Sequence, residues 1–480
     1  MESRLAFQNL SPLDHRYSLS NPELFQRLSY HLSEEAVIRS CLTCEAALLK
    51  VHIRHFLTHE SQRLEKAVED ALRQITPQQV YEEEQKTQHN IRALVNVFKS
   101  HLPEELHPYV HLGATSVDIL DTAQSLRFKD LFIQVILPDM KKLHWEMIRL
   151  TELHADTVQC GRTHGQWAVP LTFGYAMAEY VSRLGKSLVE IERRALDLRG
   201  KWAGAVGAYN ALSVIHHNPL EFEKEYLEEL GLKRSDHSTQ MVEPEYLLRL
   251  MLEVNIAFGI IANLADDLRH LQRSEIAEVK EYFSEDQVGS STMPQKRNPW
   301  NCEHIKSLWK TFSPRVVTMF MDQISEHQRD LSNSASSRFL AEFVSGFMLA
   351  VTRMTKVLKG LHVDSARMQS NIKLSGESLL AEAVYILLAL EGDTQAHETV
   401  RQITLAMERS GQKLIEILRE QPKSWERLMR GLSRVGIESP ETFLASPNRY
   451  IGLAPKLSRA IAQEWKIWHE QHKGGYDDYS

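Results

Sequence analysis

Cysteine is scarce. The 480 residues hold four, at 41, 44, 160 and 302, which leaves no disulfide framework and fits a reducing compartment. Glycine (21) and proline (16) are too few for a linker-rich chain, and there is no internal repeat or low-complexity tract. No GxGxxG follows a strand pattern and no GxxxxGK[ST] occurs, so dinucleotide-binding and P-loop readings have no support. Neither sign of charge dominates: 56 Lys and Arg against 63 Asp and Glu give −7, without long runs. A broad surface for nucleic acid or for an anionic membrane is not expected, and any anion site must be local. The longest uncharged stretch, Ala203 to Leu220, is broken by Gly, Pro, Asn and paired His and cannot face lipid. The opening MESRLAFQNLSPLDHRY has no basic region followed by an apolar core, so a cytoplasmic protein is expected.

What remains is an ordinary globular composition, 43% hydrophobic and 25% charged, at a length that suggests roughly three domains. Helical periodicity dominates. Met177, Val181, Leu184, Leu188, Ile191, Ala195 and Leu198 follow alternating spacings of four and three, the seam of helices packed at shallow angles. Leu247, Leu250, Val254, Ala257, Ile261, Leu264, Leu268 and Leu271 extend the rhythm over about 25 residues, roughly 37 Å of helix. A third rod runs from Leu340 through Phe343, Phe347, Ala350, Met354 and Val357 to Leu361. A fourth runs from about Ser116 to Asp156, where Pro138 predicts a kink. The fold class is therefore all-α with a central long-helix bundle. Shorter helices are expected on either side, giving a small N-terminal domain (1–110), the bundle (111–362) and a small C-terminal domain (363–480), with a frayed end at GGYDDYS.

Three segments could carry chemistry. Gly289-Ser-Ser-Thr-Met-Pro-Gln-Lys-Arg-Asn-Pro299 sets hydroxyls, cations and an amide between a helix expected to end near Tyr282 and another opening near Trp300. It could close over an anion beside a helix N-terminus, or be an exposed basic turn. Cys160-Gly-Arg-Thr-His-Gly-Gln166 puts His164, a group suited to proton transfer near neutral pH, on a Gly-flanked turn before a long helix. His111-Leu-Gly-Ala-Thr-Ser-Val-Asp118 offers Thr115 and Ser116 at a helix start, where capping and ligand binding are compatible. Other constellations read as structural. Cys41-x-x-Cys44 has helical flanks and no second CxxC, and is read as buried helical thiols. His52, His55 and His59 are read as an exposed polar face rather than a metal cluster, and adjacent His216 and His217 do not converge on one ion.

GSSTMPQKRNP resembles the signature loop of the fumarase/aspartase superfamily of lyases. SPLDHRY (11–17), TQHNI (87–91), HLGATSVDILDT (111–122), GRTHGQ (161–166), GAVGAYNA (204–211), STQMVEP (238–244), RDLSNSASSR (329–338) and RYIG (449–452) are similar, in the same order, to the adenylosuccinate lyase family within it. The resemblance spans essentially the whole chain. It implies an all-α, three-domain fumarase/aspartase-like fold whose long helices form a homotetramer with sites shared between subunits.

The implied reaction is elimination of fumarate from a small nucleotide substrate, adenylosuccinate, leaving AMP, and from the succinylated carboxamide ribotide of purine synthesis. It needs no cofactor or metal, and no nucleic-acid or membrane partner. By resemblance Ser290 is the base, with Ser291 the second choice, and His164 is the acid. Lys296 gives electrostatic support, and Glu303 orients the acid. Arg16, Tyr17, Arg329, Ser334 and Arg338 bind the nucleotide, particularly its phosphate. Thr115, Ser116, Gln240, Lys296 and Asn298 hold the succinyl part, and His89 contacts substrate. The chain departs from the family pattern at Asn90, where His-Asp is usual, and at Trp167, where a small residue or proline is common. An amide at 90 can still hydrogen-bond but carries no charge. The other readings are a different superfamily lyase, such as one acting on argininosuccinate, and a catalytically silent homologue.

Overall fold

A computed structural model describes residues 8–284, 287–437 and 439–472; the tail expected to fray, 474–480, lies outside them. Helix accounts for 70% and strand for 5%, so the chain is all-α. The elements that position the site are, in chain order, α1 (Glu34–Phe56), α2 (Asn90–Ser100), α3 (Ser116–Leu131), α4 (Leu137–Leu153), β1 (Val158–Thr163), β2 (Gln166–Thr172), α5 (Phe173–Ala195), α6 (Pro219–Glu229), α7 (Glu245–Leu271), β3 (Val279–Lys280), α8 (Trp300–Phe312), α9 (Leu340–Lys359), β4 (His362–Val363), α10 (Ser365–Ser375) and α11 (Ala454–Gln471).

The seams explain the rods. Every named residue of the α5 stripe, from Met177 to Leu198, is buried, and so are Leu250 to Leu268 of α7 and Leu340 to Val357 of α9. Only the outermost seam positions Leu247, Leu271 and Leu361 are half-buried. Helix α7 is long and apolar enough to cross a membrane; its apolarity follows from the buried seam. At Pro138 the chain forms a π-helical turn, Phe132–Ile136, between α3 and α4. Proline cannot donate to the carbonyl four residues back, and a wider turn just before it lets the helical path continue without that bond.

Three expectations need correction. Helix α7 ends at Leu271 rather than near Tyr282, and the residues that follow make β3, paired antiparallel with β4. The N-terminal helices are not uniformly short, because α1 has 23 residues. His52 is not on an exposed face: it is wholly buried, its Nε2 lies 3.0 Å from the Leu112 carbonyl, and it packs edge-on to Trp202. His55 instead meets the Glu225 carboxylate at 3.0 Å. Cys41 and Cys44 are buried in α1, and burial pushes the Cys41 thiol up to about 12, far from the reactive thiolate range.

The chain divides into two compact units. One comprises the residues up to Lys141 with Lys186–Gly259 and Ser307–Thr352; the other comprises Lys142–Gly185, Ile260–Lys306 and the chain from Arg353 onward. The first has a core of Leu48, Leu49, Phe98, Ile119, Trp202, Phe222 and Tyr226, each worth about 1.5–3 kcal/mol of apolar transfer. A core in the second gathers Leu380, Val384, Leu388, Ile403, Leu418, Leu428 and Leu432.

Candidate active site

His164 stands at the tip of a β-hairpin. Strands β1 and β2 pair from Val158↔Thr172 to Thr163↔Gln166, leaving His164-Gly165 as a two-residue turn. Both residues are left-handed, with φ of 54° and 75°, the geometry that matches the twist of hairpin strands. Glycine adopts it freely, whereas at His164 it costs on the order of 1 kcal/mol, sustained by the pairing on either side. The register shifts between Cys160 and Arg162. At Gly161, inside that bulge, a Cβ would sit 2.6 Å from the Val169 carbonyl oxygen, so only glycine fits. The imidazole is thus presented, exposed, at the end of a pinned ribbon.

One carboxylate ties the segment before the signature loop to the helix that follows it. Glu281 accepts the backbone N–H groups of Asn301 (3.2 Å) and Cys302 (2.9 Å) and the Asn301 amide (2.8 Å), capping α8 at its electropositive N-terminus. Its own N–H donates to Gln272 Oε1 at 2.9 Å, and Gln272 Nε2 donates to the Arg297 carbonyl at 3.3 Å. Within the loop, Asn298 Nδ2 donates to the Gly289 carbonyl at 3.1 Å. Ser290 is half-buried, and its Oγ accepts the N–H groups of Thr292 (3.3 Å) and Met293 (3.1 Å). Two donors aimed at one hydroxyl oxygen favour its deprotonated form. Ser291 is exposed. Lys296, Asn298 and Glu303 line a recess of about 650 Å³ with Arg269, Arg273 and Arg297, a local cationic site in a chain that is acidic overall.

In the other unit, Thr115 and Ser116 begin α3. The Thr115 N–H donates to the Asp118 carboxylate at 2.8 Å, and Asp118, wholly buried, also accepts from Lys201 and from the Ala203 N–H at 3.0 Å. His89 caps α2, its Nδ1 accepting the Arg92 N–H at 3.2 Å, which leaves Nε2 free of that bond. Asn90 Oδ1 accepts the Ile91 N–H at 2.7 Å. The Gln240 N–H donates to the Gln328 carbonyl at 3.2 Å, tying STQMVEP to the segment that opens with Arg329. Arg329 and Ser334 line a cavity of about 220 Å³ with Asn333, Ser336, Glu243 and Asp121. Asp121 accepts the Val242 N–H at 2.9 Å, and burial pushes its carboxyl up to about 6. Arg16 and Tyr17 open the short helix Arg16–Ser20, and Arg338 is exposed on the turn Ser336–Phe339.

The structure therefore gathers Ser290, Lys296, Asn298 and Glu303 around one loop, and Arg329 with Ser334 around one cavity. Among the described residues of the single chain no hydrogen bond links His164 with Glu303. Sequence reasoning missed Asp118, Asp121, Lys201, Glu278 and Glu281. Only Asp118 left a local signal, the Thr115-Ser-Val-Asp118 capping spacing; Asp121, Lys201 and Glu278 meet their partners more than 80 residues away and Glu281 about 20 away.

Residues 15–310 match a family described as lyase, and residues 325–437 match one described as adenylosuccinate lyase C-terminal. The curated adenylosuccinate lyase of Pyrococcus abyssi is 33% identical over 455 residues, covering 93% of this chain and 96% of the relative. That of Methanocaldococcus jannaschii is 30% identical over 463 residues, covering 95% and 96%. The fold is that of fumarate lyase from Mesorhizobium sp. BNC1 (TM-score 0.77, 24% identity, 92% of this chain and 97% of the other). It is also that of 3-carboxy-cis,cis-muconate lactonizing enzyme from Pseudomonas putida (TM-score 0.75, 24% identity, 93% and 97%). Fold and family match thus define a lyase of the fumarase/aspartase class. Within that class, the chain belongs to the adenylosuccinate lyase family.

Proposed function

We propose that Ser290 and His164 are the base and acid with which this C–N lyase removes fumarate from adenylosuccinate, releasing AMP, and from the succinylated carboxamide ribotide. The observation that carries the mechanism is the pair of N–H groups on Ser290 Oγ. A serine alkoxide is otherwise too unstable to take a weakly acidic carbon-bound proton, and these donors, with Lys296 nearby in the loop, lower its cost. The alkoxide takes the Cβ proton, and the electron pair passes into the adjacent carboxylate, whose developing charge meets the cationic recess. The Cα–Cβ double bond then forms as the C–N bond breaks. His164 gives its proton to the departing nitrogen, and proton exchange with water resets both groups.

In this reading Glu303 orients His164, and Ser291 stands beside the base as an alternative. Arg16, Tyr17, Arg329, Ser334 and Arg338 take the nucleotide and its phosphate, while Thr115, Ser116, Gln240, Lys296 and Asn298 take the succinyl carboxylates. His89 and Asn90 face the substrate, with the Asn90 amide accepting where the family has a charge. Sites completed by neighbouring subunits of a homotetramer supply the Glu303–His164 partnership. A cytoplasmic location and the three-part division at about residues 110 and 362 belong to the same reading.

The test is a spectrophotometric assay of the purified protein with adenylosuccinate, AMP and fumarate being identified chromatographically, and with argininosuccinate in parallel. Turnover of adenylosuccinate alone is expected. Turnover of argininosuccinate alone, or of neither by an intact oligomer, would overturn the substrate assignment.

A further inference from the structure

Glu278 touches no solvent, yet it sits between the two segments that carry the proposed acid and base. Its side chain is 0% exposed. The carboxylate is saturated by four donors from three directions: Arg162 Nη2 (2.7 Å) and Nη1 (3.1 Å), Gln159 Nε2 (2.8 Å) and Asn371 Nδ2 (2.8 Å). Gln159 and Arg162 lie on β1, and Arg162 is two residues before His164. Asn371 lies on α10 and also donates to the Ile276 carbonyl at 2.9 Å.

The backbone of Glu278 is fixed as well. Its N–H donates to the Leu271 carbonyl at the end of α7 (2.9 Å), and its carbonyl accepts the Asp364 N–H (2.9 Å). Three residues further on, Glu281 caps α8, the helix that follows the signature loop. One short segment, 278–281, therefore grips the hairpin that presents His164 with one carboxylate and, with the other, the start of the helix that follows the Ser290 loop.

A buried ion pair is weak evidence for stability, since apolar residues of similar volume commonly serve as well. What a bidentate guanidinium–carboxylate fork supplies that apolar packing does not is orientation. The hairpin needs it: its tip is two left-handed residues long, and its base contains a bulge that any Cβ would disrupt.

We propose that Glu278 is a positioning residue for His164, acting through Arg162 to set where the hairpin tip delivers its proton. Glu278 reaches no substrate, so its effect on turnover passes through the acid. The inference rests on His164 being that acid, and the test separates the two claims.

Turnover of adenylosuccinate is measured for wild type, Glu278→Gln, His164→Ala and the double variant. Displacement of a reacting group by about 1 Å costs on the order of a hundredfold. Glu278→Gln is expected to lower kcat about ten- to a hundredfold while KM stays within about threefold. In the His164→Ala background the same change should slow turnover less than about twofold, because there is no acid left to position. A Glu278→Gln enzyme with wild-type kcat overturns the proposal. So does one that slows His164→Ala by its full factor, which would mark a general structural role. Wild-type turnover by His164→Ala instead overturns the assignment of the acid. Should Glu278→Gln not fold, Arg162→Lys, which keeps the charge but loses the fork, enters the same cycle with the same outcomes.

Discussion

Asp118 and Lys201 form an ion pair from which water is wholly excluded, both side chains being 0% exposed. The carboxylate also accepts the N–H groups of Thr115, Ala203 and Gly204, and Lys201 Nζ reaches the Gly204 carbonyl at 3.4 Å. Removing one partner leaves the other charged in a dry site, which typically costs about 3–5 kcal/mol. Lys201→Met is therefore expected to lower stability by about that amount in urea unfolding at fixed protein concentration. Combining it with Asp118→Leu should cost less than the two single changes together. A strictly additive pair would show that the two charges do not depend on each other. Because Asp118 also holds the Thr115 amide, the single variants should raise KM for the succinyl substrate.

Proton transfer by a placed side chain contributes about 10²–10⁴-fold. Ser290→Ala and His164→Ala should each lose turnover within that range, with circular dichroism unchanged. Ser291→Ala should lose less than about tenfold, because only Ser290 Oγ receives two backbone donors. The opposite ranking of the two serines would move the base to Ser291.

Long helices were legible because a seam repeats: once Leu184, Leu188 and Ile191 align, the buried face follows from spacing alone. The hairpin was not, since β1 and β2 are six and seven residues long and their turn, His164-Gly165, lacks the Asn-Gly signal that marks such turns. The true end of α7 was hidden for a related reason. Beyond Leu271 the chain carries no proline or glycine to mark a stop; the Leu271 carbonyl is instead taken by the Glu278 N–H, next to the pairing of Val279 with Val363, 84 residues away. The candidate site shows the same division. Motif residues such as Ser290, Lys296 and Thr115 declare themselves locally. Their supports do not, because Arg162 finds Glu278 across 116 residues and Asp118 finds Lys201 across 83. Such pairings exist only once the chain has folded.

Three histidines should govern acid stability. Burial holds His31 and His52 down to about 4 and His144 down to about 3. His144 shows why: its Nε2 lies 2.8 Å from the Val181 carbonyl and its Nδ1 lies 2.9 Å from His469 Nε2, so protonation would set two donors against each other. The folded-state values lie below the unfolded value of about 6.5, so the fold favours the neutral rings. Their contribution is complete above pH 6.5 and drains away as pH falls toward 4 and then 3. The thermal midpoint should drop through that window with net proton uptake on unfolding, measurable by calorimetry in buffers of different ionisation enthalpy. A midpoint level from pH 6.5 to 4 would mean these rings do not limit stability.

Glu281 offers a separate handle on the signature loop. Its carboxylate satisfies two N–H groups at the start of α8 that the helix itself cannot satisfy, and it stands where the helix dipole favours negative charge. Loss of such a cap typically costs about 0.5–2 kcal/mol. The larger consequence concerns the loop: with Glu281→Ala, the Gln272–Arg297 contact at 3.3 Å and the Asn298–Gly289 contact at 3.1 Å are left to hold it. The peptide bonds after Lys296 and Arg297 should then become the first cut by trypsin, several times faster than in wild type, and saturating adenylosuccinate should slow that cleavage by closing the loop over substrate. An unchanged cleavage rate would mean the loop is held from within, by Asn298 and the Ser290 turn, and that Glu281 serves α8 alone.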